Sequence, residues 1–293
     1  MMSAEKRLPY WLRRPFPHGE EVRMIRGVVR RWGLHTVCES ASCPNRQECF
    51  SQRRVTFMIL GDICTRSCTF CGVETGRPLP SDPDEAERLG AAVSEMGLNY
   101  VVITSVTRDD LPDGGATQFA QCVETLHHNL HIKAEVLIPD FGGSLSALEK
   151  VVATQPDVLN HNVETVPRLY SEVRPQANYH RSLEILSRAK SLGRGLVTKS
   201  GLILGMGERE DEVIATMKEL RQADCDIITL GQYLRPSVRH HEVVRYITPD
   251  EFNQYKIIAE QMGFLGVASG PLVRSSFNAT DMWQTVSRDK NQA

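Results

Sequence analysis

The sequence predicts an α/β protein built around a parallel sheet. Segments with strand character alternate with segments of helical periodicity from residue 55 to residue 262, and this alternation is typical of strands joined by crossover helices. The chain has 293 residues, of which 41% are hydrophobic, and this suits one large domain without disulfide support. The longest apolar runs, such as residues 55–60, are far shorter than the roughly 18 residues that indicate a membrane helix.

Three regions follow from the order of the elements. Residues 1–54 form a predicted N-terminal extension, because prolines interrupt it and only short segments such as 20–31 have helical periodicity. Residues 55–264 form the predicted α/β domain. Residues 265–293 form a predicted C-terminal extension, and we expect its polar last part, from residue 281, to fray.

The α/β domain contains six predicted strands. They lie at residues 55–60, 99–105, 132–138, 157–163, 196–204 and 226–232. Helical periodicity is found at residues 83–97, 117–130, 144–154, 165–173, 179–192, 209–224 and 249–262. Six strands are too few for a closed eight-stranded barrel.

The net charge of −2 is unevenly distributed. Residues 1–54 hold 11 Lys and Arg against 5 Asp and Glu. A basic segment can meet nucleic acid, an anionic cofactor or an acidic protein, and the alternative is a solvated surface with scattered arginines. No block of consecutive basic residues is present, so we expect no nucleic-acid partner, and we expect no membrane partner. The first residues lack a signal-peptide apolar core, which predicts a cytoplasmic protein.

Six of the eight cysteines lie within 34 residues and form two triplets. The first triplet is Cys38, Cys43 and Cys49, and the second is Cys64, Cys68 and Cys71. A disulfide framework is not expected in a chain of this size without a secretion signal. Metal or cluster ligation is therefore the favoured interpretation. The remaining two, Cys122 and Cys225, lie in helical patterns and are predicted to be small buried hydrophobic residues.

The grouping in threes favours iron–sulfur clusters over zinc. Zinc normally takes four ligands in paired sets, although His35 could complete one such site, so zinc stays an alternative. A 4Fe–4S cluster is usually held by four thiolates. Three thiolates leave one iron open for a substrate, a cofactor or an unusual protein ligand, which is a mark of a reactive cluster.

The second triplet has a recognisable form. The segment Cys64-Thr-Arg-Ser-Cys68-Thr-Phe70-Cys71 is similar to the C-x3-C-x-aromatic-C motif of radical S-adenosylmethionine (SAM) enzymes. With the upstream triplet and the segment Arg274-Ser275-Ser276, the chain resembles the lipoyl synthase family from about residue 30 to residue 280. The resemblance implies a partial, open βα barrel of about six parallel strands with N- and C-terminal extensions, and a cluster at the C-terminal mouth.

The resemblance also implies two 4Fe–4S clusters and SAM as cofactors. The second triplet would hold the cluster whose open iron binds SAM. The first triplet would hold an auxiliary cluster, with Ser276 as its fourth ligand. A serine oxygen is a harder, poorer ligand to iron than a thiolate, so it could leave readily when that cluster is consumed. The predicted catalytic residues are Cys64, Cys68, Cys71 and Ser276.

Polar and small residues at the ends of predicted strands are candidate SAM contacts, because ligands bind at the carboxyl ends of parallel strands. Turn formation and helix capping are the structural alternatives for several of them. The segment from Lys199 to Glu208 also fits the G-x-I-x-G-x-x-E pattern of radical SAM enzymes. The predicted contacts are Phe70, Thr104, Ser105, Arg108, Asp109, Asn160, Asn162, Glu164, Lys199, Gly201, Ile203, Gln232 and Tyr233.

Some positions depart from the family pattern. Gly72 follows the last cysteine, where the family commonly has an acidic residue, and Phe277-Asn278 replaces Tyr-His. Neither departure removes a predicted ligand. They leave room for a paralogue with a shifted substrate.

The implied activity is insertion of two sulfur atoms at carbons 6 and 8 of an octanoyl group on a lysine of a lipoyl carrier domain. Such carbons have no acidic proton and no leaving group, so a radical is needed, and the cofactor supplies it. The auxiliary cluster would be the sulfur donor. Expected partners are the octanoylated carrier domain, an electron donor and a protein that rebuilds the cluster. The alternatives are another radical SAM enzyme with an auxiliary cluster, and a zinc- or cluster-stabilised binding protein.

Overall fold

The computed structural model describes residues 8–13 and 19–292. Parts of the predicted N-terminal extension, residues 1–7 and 14–18, lie outside the described residues. The strands are β1 His35–Thr36, β2 Thr56–Ile59, β3 Ile63–Cys64, β4 Glu74–Thr75, β5 Tyr100–Ser105, β6 Lys133–Leu137, β7 Val158–Asn160, β8 Val197–Leu204, β9 Ile227–Gln232 and β10 Gly266–Gly270. The α-helices are α1 Glu20–Arg31, α2 Val37–Ser40, α3 Arg46–Ser51, α4 Glu85–Met96, α5 Ala116–Glu124, α6 Leu145–Ala153, α7 Tyr170–Val173, α8 Tyr179–Leu192, α9 Glu210–Gln222, α10 Pro249–Gln261 and α11 Ala279–Gln292.

The main sheet has the strand order β1-β2-β5-β6-β7-β8-β9-β10. Only β1 is antiparallel to its neighbour, and from β2 to β10 every pairing is parallel. The chain is therefore a partial βα barrel, as predicted, and all six predicted strands are present. The strand predicted at 157–163 is shorter, because β7 ends at Asn160. A seventh parallel strand, β10, pairs with β9 in register Gly266 to Ile227 and was not among the predicted strands.

Helices cover the outside of the sheet and agree with the sequence periodicity over most of their length. The helix predicted at 117–130 is α-helical only to Glu124 and continues as a π-helical turn over Thr125–Asn129. The helix predicted at 165–173 consists of a 3₁₀ turn, Pro167–Leu169, followed by α7. Cys122 and Cys225 are fully buried, which confirms their prediction as core residues.

The expected fraying after residue 281 is wrong for the described residues, because α11 continues to Gln292. Val286 of this helix is fully buried with Val158, Val197 and Ile227. The ring of Trp283 lies 5.8 Å from that of Tyr100. A single apolar face is enough to hold a helix of polar average composition against the barrel.

Between β10 and α11, residues 271–278 form a strap that connects the last strand of the sheet to the last helix. The amide of Gln232 donates to the carbonyl oxygen of Pro271 over 3.3 Å. At Gly231 an added Cβ would lie 2.0 Å from the carbonyl oxygen of Val273. The strap can approach β9 this closely only because residue 231 has no side chain. No helix in the described part of the chain is long and apolar enough to cross a membrane.

Candidate functional site

The second cysteine triplet follows β2, with Cys64 in β3 and the other two cysteines on the loop between β3 and β4. Cys64 is the last residue of β3, and its Sγ accepts hydrogen bonds from the backbone amides of Arg66, over 3.4 Å, and Thr107, over 3.3 Å. Thr65 is tied to the same neighbour, since its amide donates to the carbonyl oxygen of Thr107 over 3.0 Å. The first cysteine of the triplet is thus attached to the carboxyl end of β5.

Arg66 anchors the loop between Cys64 and Cys68. Its side chain is 7% exposed and donates to both carboxylate oxygens of Asp109, over 2.7 and 2.8 Å, and to Asp140 over 2.6 Å. Burial raises the pKa of Asp140, but the hydrogen bonds and charge of Arg66 outweigh it and hold that pKa at about 2. Charge-assisted bonds of this kind are strong and directional, so they fix the loop.

Cys68 and Cys71 flank Thr69, which is held from both sides. The amide of Thr69 donates to the carbonyl oxygen of Val173 over 3.0 Å, and its own carbonyl oxygen accepts from the amide of His241 over 2.8 Å. Burial raises the pKa of Cys68, which the charge of Arg174 partly offsets. Burial also raises the pKa of Cys71 to about 12. These thiols keep their protons unless a metal displaces them.

The first triplet faces a different space, a cavity of about 280 Å³. All three of its cysteines line this cavity, and so does Ser276 of the strap. Cys38 lies on α2 and Cys49 on α3. Burial raises the pKa of each to about 12, with a further rise from the charge of Cys43. The fold therefore brings a serine from one end of the chain to three cysteines from the other.

Two side chains of the N-terminal region tie the strap to this cavity. The amide of Asn45 donates to the carbonyl oxygen of Leu272 over 2.5 Å. The guanidinium of Arg54 donates to Asn278 and, over 3.1 Å, to Asp281. Both Asn45 and Arg54 also line the cavity.

At the carboxyl ends of the central strands, several candidate SAM contacts have unsatisfied polar atoms. The hydroxyl of Ser105 and the side-chain oxygens of Asn160 and Asn162 are buried and have no hydrogen-bond partner among the described residues. Thr104 differs, because its hydroxyl donates to the carbonyl oxygen of Leu137 over 3.0 Å. Buried polar atoms of this kind call for a bound partner, so this region fits a polar ligand.

Glu164 lies beside Asn162 in a strained backbone conformation. Its φ of 64° is in the left-handed region, which is unfavourable for a residue with a long side chain and is found at functional sites. Its carboxylate accepts from Asn162 over 3.0 Å. Burial raises its pKa, and the charges of Arg174 and Arg274 oppose that rise.

One further candidate, Lys199, lies inside the barrel. Lys199 is fully buried and pairs with Glu135 over 2.8 Å, and Asn160 donates to the same carboxylate over 3.3 Å. The hydroxyl of Tyr100 completes the group over 2.9 Å to Glu135. The charge of Lys199 is thus already compensated inside the protein.

Four candidates have side chains engaged in holding loops. Arg108 forms a two-point ion pair with Asp110, both contacts being 2.8 Å, and Asp109 pairs with Arg66. Gln232 donates to the carbonyl oxygen of Leu204 over 3.0 Å and accepts from the amide of Ile247 over 2.7 Å. The hydroxyl of Tyr233 donates to His241 over 2.8 Å.

The three remaining candidates are small or apolar. Phe70 and Ile203 are partly buried and pack against the same hydrophobic core. At Gly201 an added Cβ would lie 2.5 Å from Thr229 Oγ1 and 3.0 Å from Asn162 Oδ1. The absence of a side chain at Gly201 thus lets Thr229 and Asn162 approach the backbone of β8 closely.

The arrangement of thiols fits clusters better than a single ion. Within residues 8–13 and 19–292, no group of three or more His, Cys, Asp or Glu side chains could hold one metal ion. Zinc requires its ligands to converge on one point, so the alternative of a zinc site through His35 has no support there. In a 4Fe–4S cluster each thiolate binds a different iron, and separated thiols around a cavity meet that requirement.

Sequence reasoning missed several residues that shape the site. They are Asn45, Arg54, Arg66, Glu135, Asp140, Arg174 and Ser275. The position of Arg66 between two cysteines was a usable signal. The others meet their partners only through tertiary contacts, which no local pattern reveals.

Comparisons with known proteins agree with this geometry. The family model described as the Radical SAM superfamily matches residues 58–220. A lipoyl synthase of Aquifex aeolicus is 54% identical over 267 residues, which cover 91% of this chain and 97% of that protein. One of Caldanaerobacter subterraneus subsp. tengcongensis is 52% identical over 273 residues, covering 93% and 96%. The chain belongs to the lipoyl synthase family.

Membership of the lipoyl synthase family confirms the predicted enzyme class, a sulfur-inserting radical SAM enzyme, and the cofactors, SAM and 4Fe–4S clusters that include an auxiliary one. Solved structures support the fold alone. Streptococcus suis SuiB bound to S-adenosylmethionine has a TM-score of 0.58 at 14% identity, covering 76% of this chain and 54% of that one. Coproporphyrinogen III oxidase (HemN) from Escherichia coli has a TM-score of 0.52 at 13% identity, covering 75% and 56%.

Proposed function

We propose that this chain inserts two sulfur atoms, at carbons 6 and 8, into an octanoyl group borne by a lysine of a lipoyl carrier domain. The observation that carries the proposal is the cavity lined by Cys38, Cys43, Cys49 and Ser276. A cluster that only carries electrons needs no ligand beyond cysteines. A cavity that combines three thiols with one weaker oxygen ligand suits a cluster that is to be taken apart.

The residues divide into two sets in this proposal. Cys64, Cys68 and Cys71 hold the cluster that binds SAM, and the cavity residues hold the auxiliary cluster. Ser105, Asn162 and Glu164 contact SAM, because their polar groups lie at the carboxyl ends of the strands or just beyond them. When bound, SAM and the two clusters supply hydrogen abstraction from the octanoyl chain and the two sulfur atoms.

The protein itself contributes placement and shielding. Arg66 fixes the loop of the second triplet against Asp109 and Asp140, and the strap fixes Ser276 against the first triplet. Rigid placement of this kind supplies much of the catalytic effect when reacting atoms must be held in line. In the proposal, residues 1–54 and 265–293 are extensions of the 55–264 barrel, the first carrying the cysteines of the auxiliary cluster and the second carrying Ser276.

Three finer points belong to the same proposal. The substrate partner is an octanoylated carrier domain, an external donor supplies electrons, and another protein rebuilds the consumed cluster. The cytoplasm is the proposed location.

A single-turnover assay tests the proposal. The chain is loaded with clusters that contain heavy-isotope sulfide and is then given SAM, a reductant and an octanoylated carrier domain. Mass spectrometry should find two heavy sulfur atoms in the octanoyl group, and a carrier domain without the octanoyl group is the control. Consumption of SAM without a sulfur-containing product would overturn the proposal.

A further inference from the structure

Three consecutive residues of the strap face both parts of the site. Ser276 lines the cysteine cavity. Ser275 points the other way, and its Oγ accepts a hydrogen bond from Asn162 Nδ2 over 2.5 Å. Arg274 lines the same cavity as Ser276.

The contact with Ser275 fixes the orientation of the Asn162 amide. Asn162 is 7% exposed, and its Nδ2 donates to Ser275 and to Glu164 Oε1. An amide nitrogen has two donor hydrogens, so both are used. The Asn162 oxygen must then face the opposite way.

That oxygen lies close to Gly201 of β8. An added Cβ at Gly201 would lie 3.0 Å from Asn162 Oδ1, 2.5 Å from Thr229 Oγ1 and 3.3 Å from Ser275 Oγ. The oxygen is buried and has no hydrogen-bond partner in the part of the chain that the structure describes. A buried acceptor without a donor is costly, so a ligand that donates a hydrogen bond is favoured there.

We propose that Ser275 is a positioning residue that holds Asn162 for SAM and links SAM binding to the auxiliary-cluster cavity. The inference rests on the proposed function, in which Asn162 contacts SAM and Ser276 is a cluster ligand. Because Ser275 and Ser276 are adjacent on one strap, a cluster that fixes Ser276 also fixes Ser275 and, through it, the Asn162 amide. Linkage is reciprocal, so SAM and the auxiliary cluster each favour binding of the other. A chain whose auxiliary cluster has been consumed therefore binds SAM more weakly.

Equilibrium binding of labelled SAM to the full chain, loaded with both clusters, tests the positioning role. Ser275→Ala should raise the Kd for SAM about threefold to tenfold, the loss of one hydrogen bond, with iron content unchanged. Ser275→Thr keeps the hydroxyl and should restore most of the affinity. Ser269→Ala is the matched control, because Ser269 donates to Phe252 over 2.6 Å and lies in β10; its Kd should equal that of the parent chain.

A double-mutant cycle separates positioning from general destabilisation. If Ser275 acts through Asn162, Ser275→Ala should change the Kd little in a chain that already carries Asn162→Ala. Equal effects in both backgrounds would overturn the positioning role. An unchanged Kd in Ser275→Ala with normal iron content would do the same.

The link to the auxiliary site has its own cycle. Cys43→Ala should raise the Kd for SAM in the parent chain but not in Ser275→Ala, since the connection is already broken there. A Kd unaffected by Cys43→Ala in the parent chain would overturn the link. Formation of lipoyl product is measured separately. If product forms but the Kd for SAM does not depend on Ser275, only this inference is overturned. If the Kd for SAM depends on Ser275 but no product forms, only the proposed function is overturned.

Discussion

The side-chain amide of Asn45 donates a hydrogen bond to the carbonyl oxygen of Leu272 over 2.5 Å, although 227 positions separate the two residues. Asn45 lies between Cys43 and Cys49, and Leu272 lies four positions before Ser276. This contact therefore joins the cysteine part of the cavity to its serine part.

Replacing Asn45 by alanine should loosen the cavity without touching any proposed ligand. We expect a loss of about 1–3 kcal/mol in the free energy of unfolding, since a buried carbonyl oxygen loses its donor, and a lower iron content at the first triplet. Chemical denaturation and iron analysis measure the two effects. The exposed Ser51→Ala on α3 is the control, and parent-like iron content in Asn45→Ala would contradict the expectation.

The number of clusters follows from the two triplets. Anaerobic reconstitution should give about 8 iron atoms per chain, if each triplet holds a 4Fe–4S cluster. Saturation near half that value would show that only one triplet binds a cluster, and spectroscopy of single-triplet variants would identify it.

Substitution of a cysteine should have a different effect on activity in each triplet. Cys68→Ala should abolish SAM cleavage, because the cluster proposed to bind SAM is lost. Cys43→Ala should retain some SAM cleavage and form no lipoyl product. Both are measured by chromatography of the SAM fragments and mass spectrometry of the carrier domain. Lipoyl product from Cys43→Ala would rule out the first triplet as the sulfur source.

Substitutions of Ser276 distinguish a role as cluster ligand from a purely structural role. Ser276→Ala should still cleave SAM but lose most sulfur insertion, because one iron of the auxiliary cluster lacks its protein ligand. Ser276→Cys should build a cluster and insert sulfur poorly, because a thiolate holds iron more tightly than a hydroxyl oxygen does. If Ser276 merely caps a turn, Ser276→Ala would cost about 1 kcal/mol of stability and give a normal lipoyl yield.

The ion pair between Arg66 and Asp140 should make the stability of the fold depend on pH. The Asp140 pKa is about 2 in the folded chain, below its ordinary 3.8. A carboxyl group whose pKa is lower in the folded chain than in the unfolded chain stabilises the fold at pH values above its unfolded pKa. This stabilisation is lost as the pH falls through the folded pKa. The contribution is about 2 kcal/mol, and it should disappear between about pH 4 and pH 2.

In Arg66→Met, the loss of stability between about pH 4 and pH 2 should be much smaller than in the parent chain. The free energy of unfolding at pH 7 should fall by about 3 kcal/mol, because Asp140 loses its closest cation. Denaturation of the chain without clusters at several pH values measures both. Arg188→Met removes an exposed pair with Glu184 and should change neither. An unaltered pH slope in Arg66→Met would show that Arg66 does not set the Asp140 pKa.

The sequence predicted the elements whose signals are local. The runs at β2, β5 and β8 are rich in apolar and β-branched residues, and buried parallel strands need such residues. The strand Gly266–Gly270 was missed because two glycines and a serine leave it no such run. It forms because β9 offers a free edge that only the folded barrel presents.

In the candidate site, too, the sequence predicted only the features that have a local signal. Cysteine spacing located both triplets, and strand ends located Asn162 and Glu164. Strand-end reasoning could not separate these from Lys199, whose charge is neutralised by Glu135 inside the barrel. Partners such as Asp140 for Arg66 lie far away in sequence, so charge pairing could not be read from the chain.

The strap also bears on the order of folding. Contacts between residues 227 positions apart close a long loop, and such contacts form late, after the local βα units. During synthesis both cysteine triplets emerge well before residues 271–278 do. The first triplet is thus synthesised before Ser276, the strap residue that lines the same cavity, and its thiols can meet iron before that serine is in place.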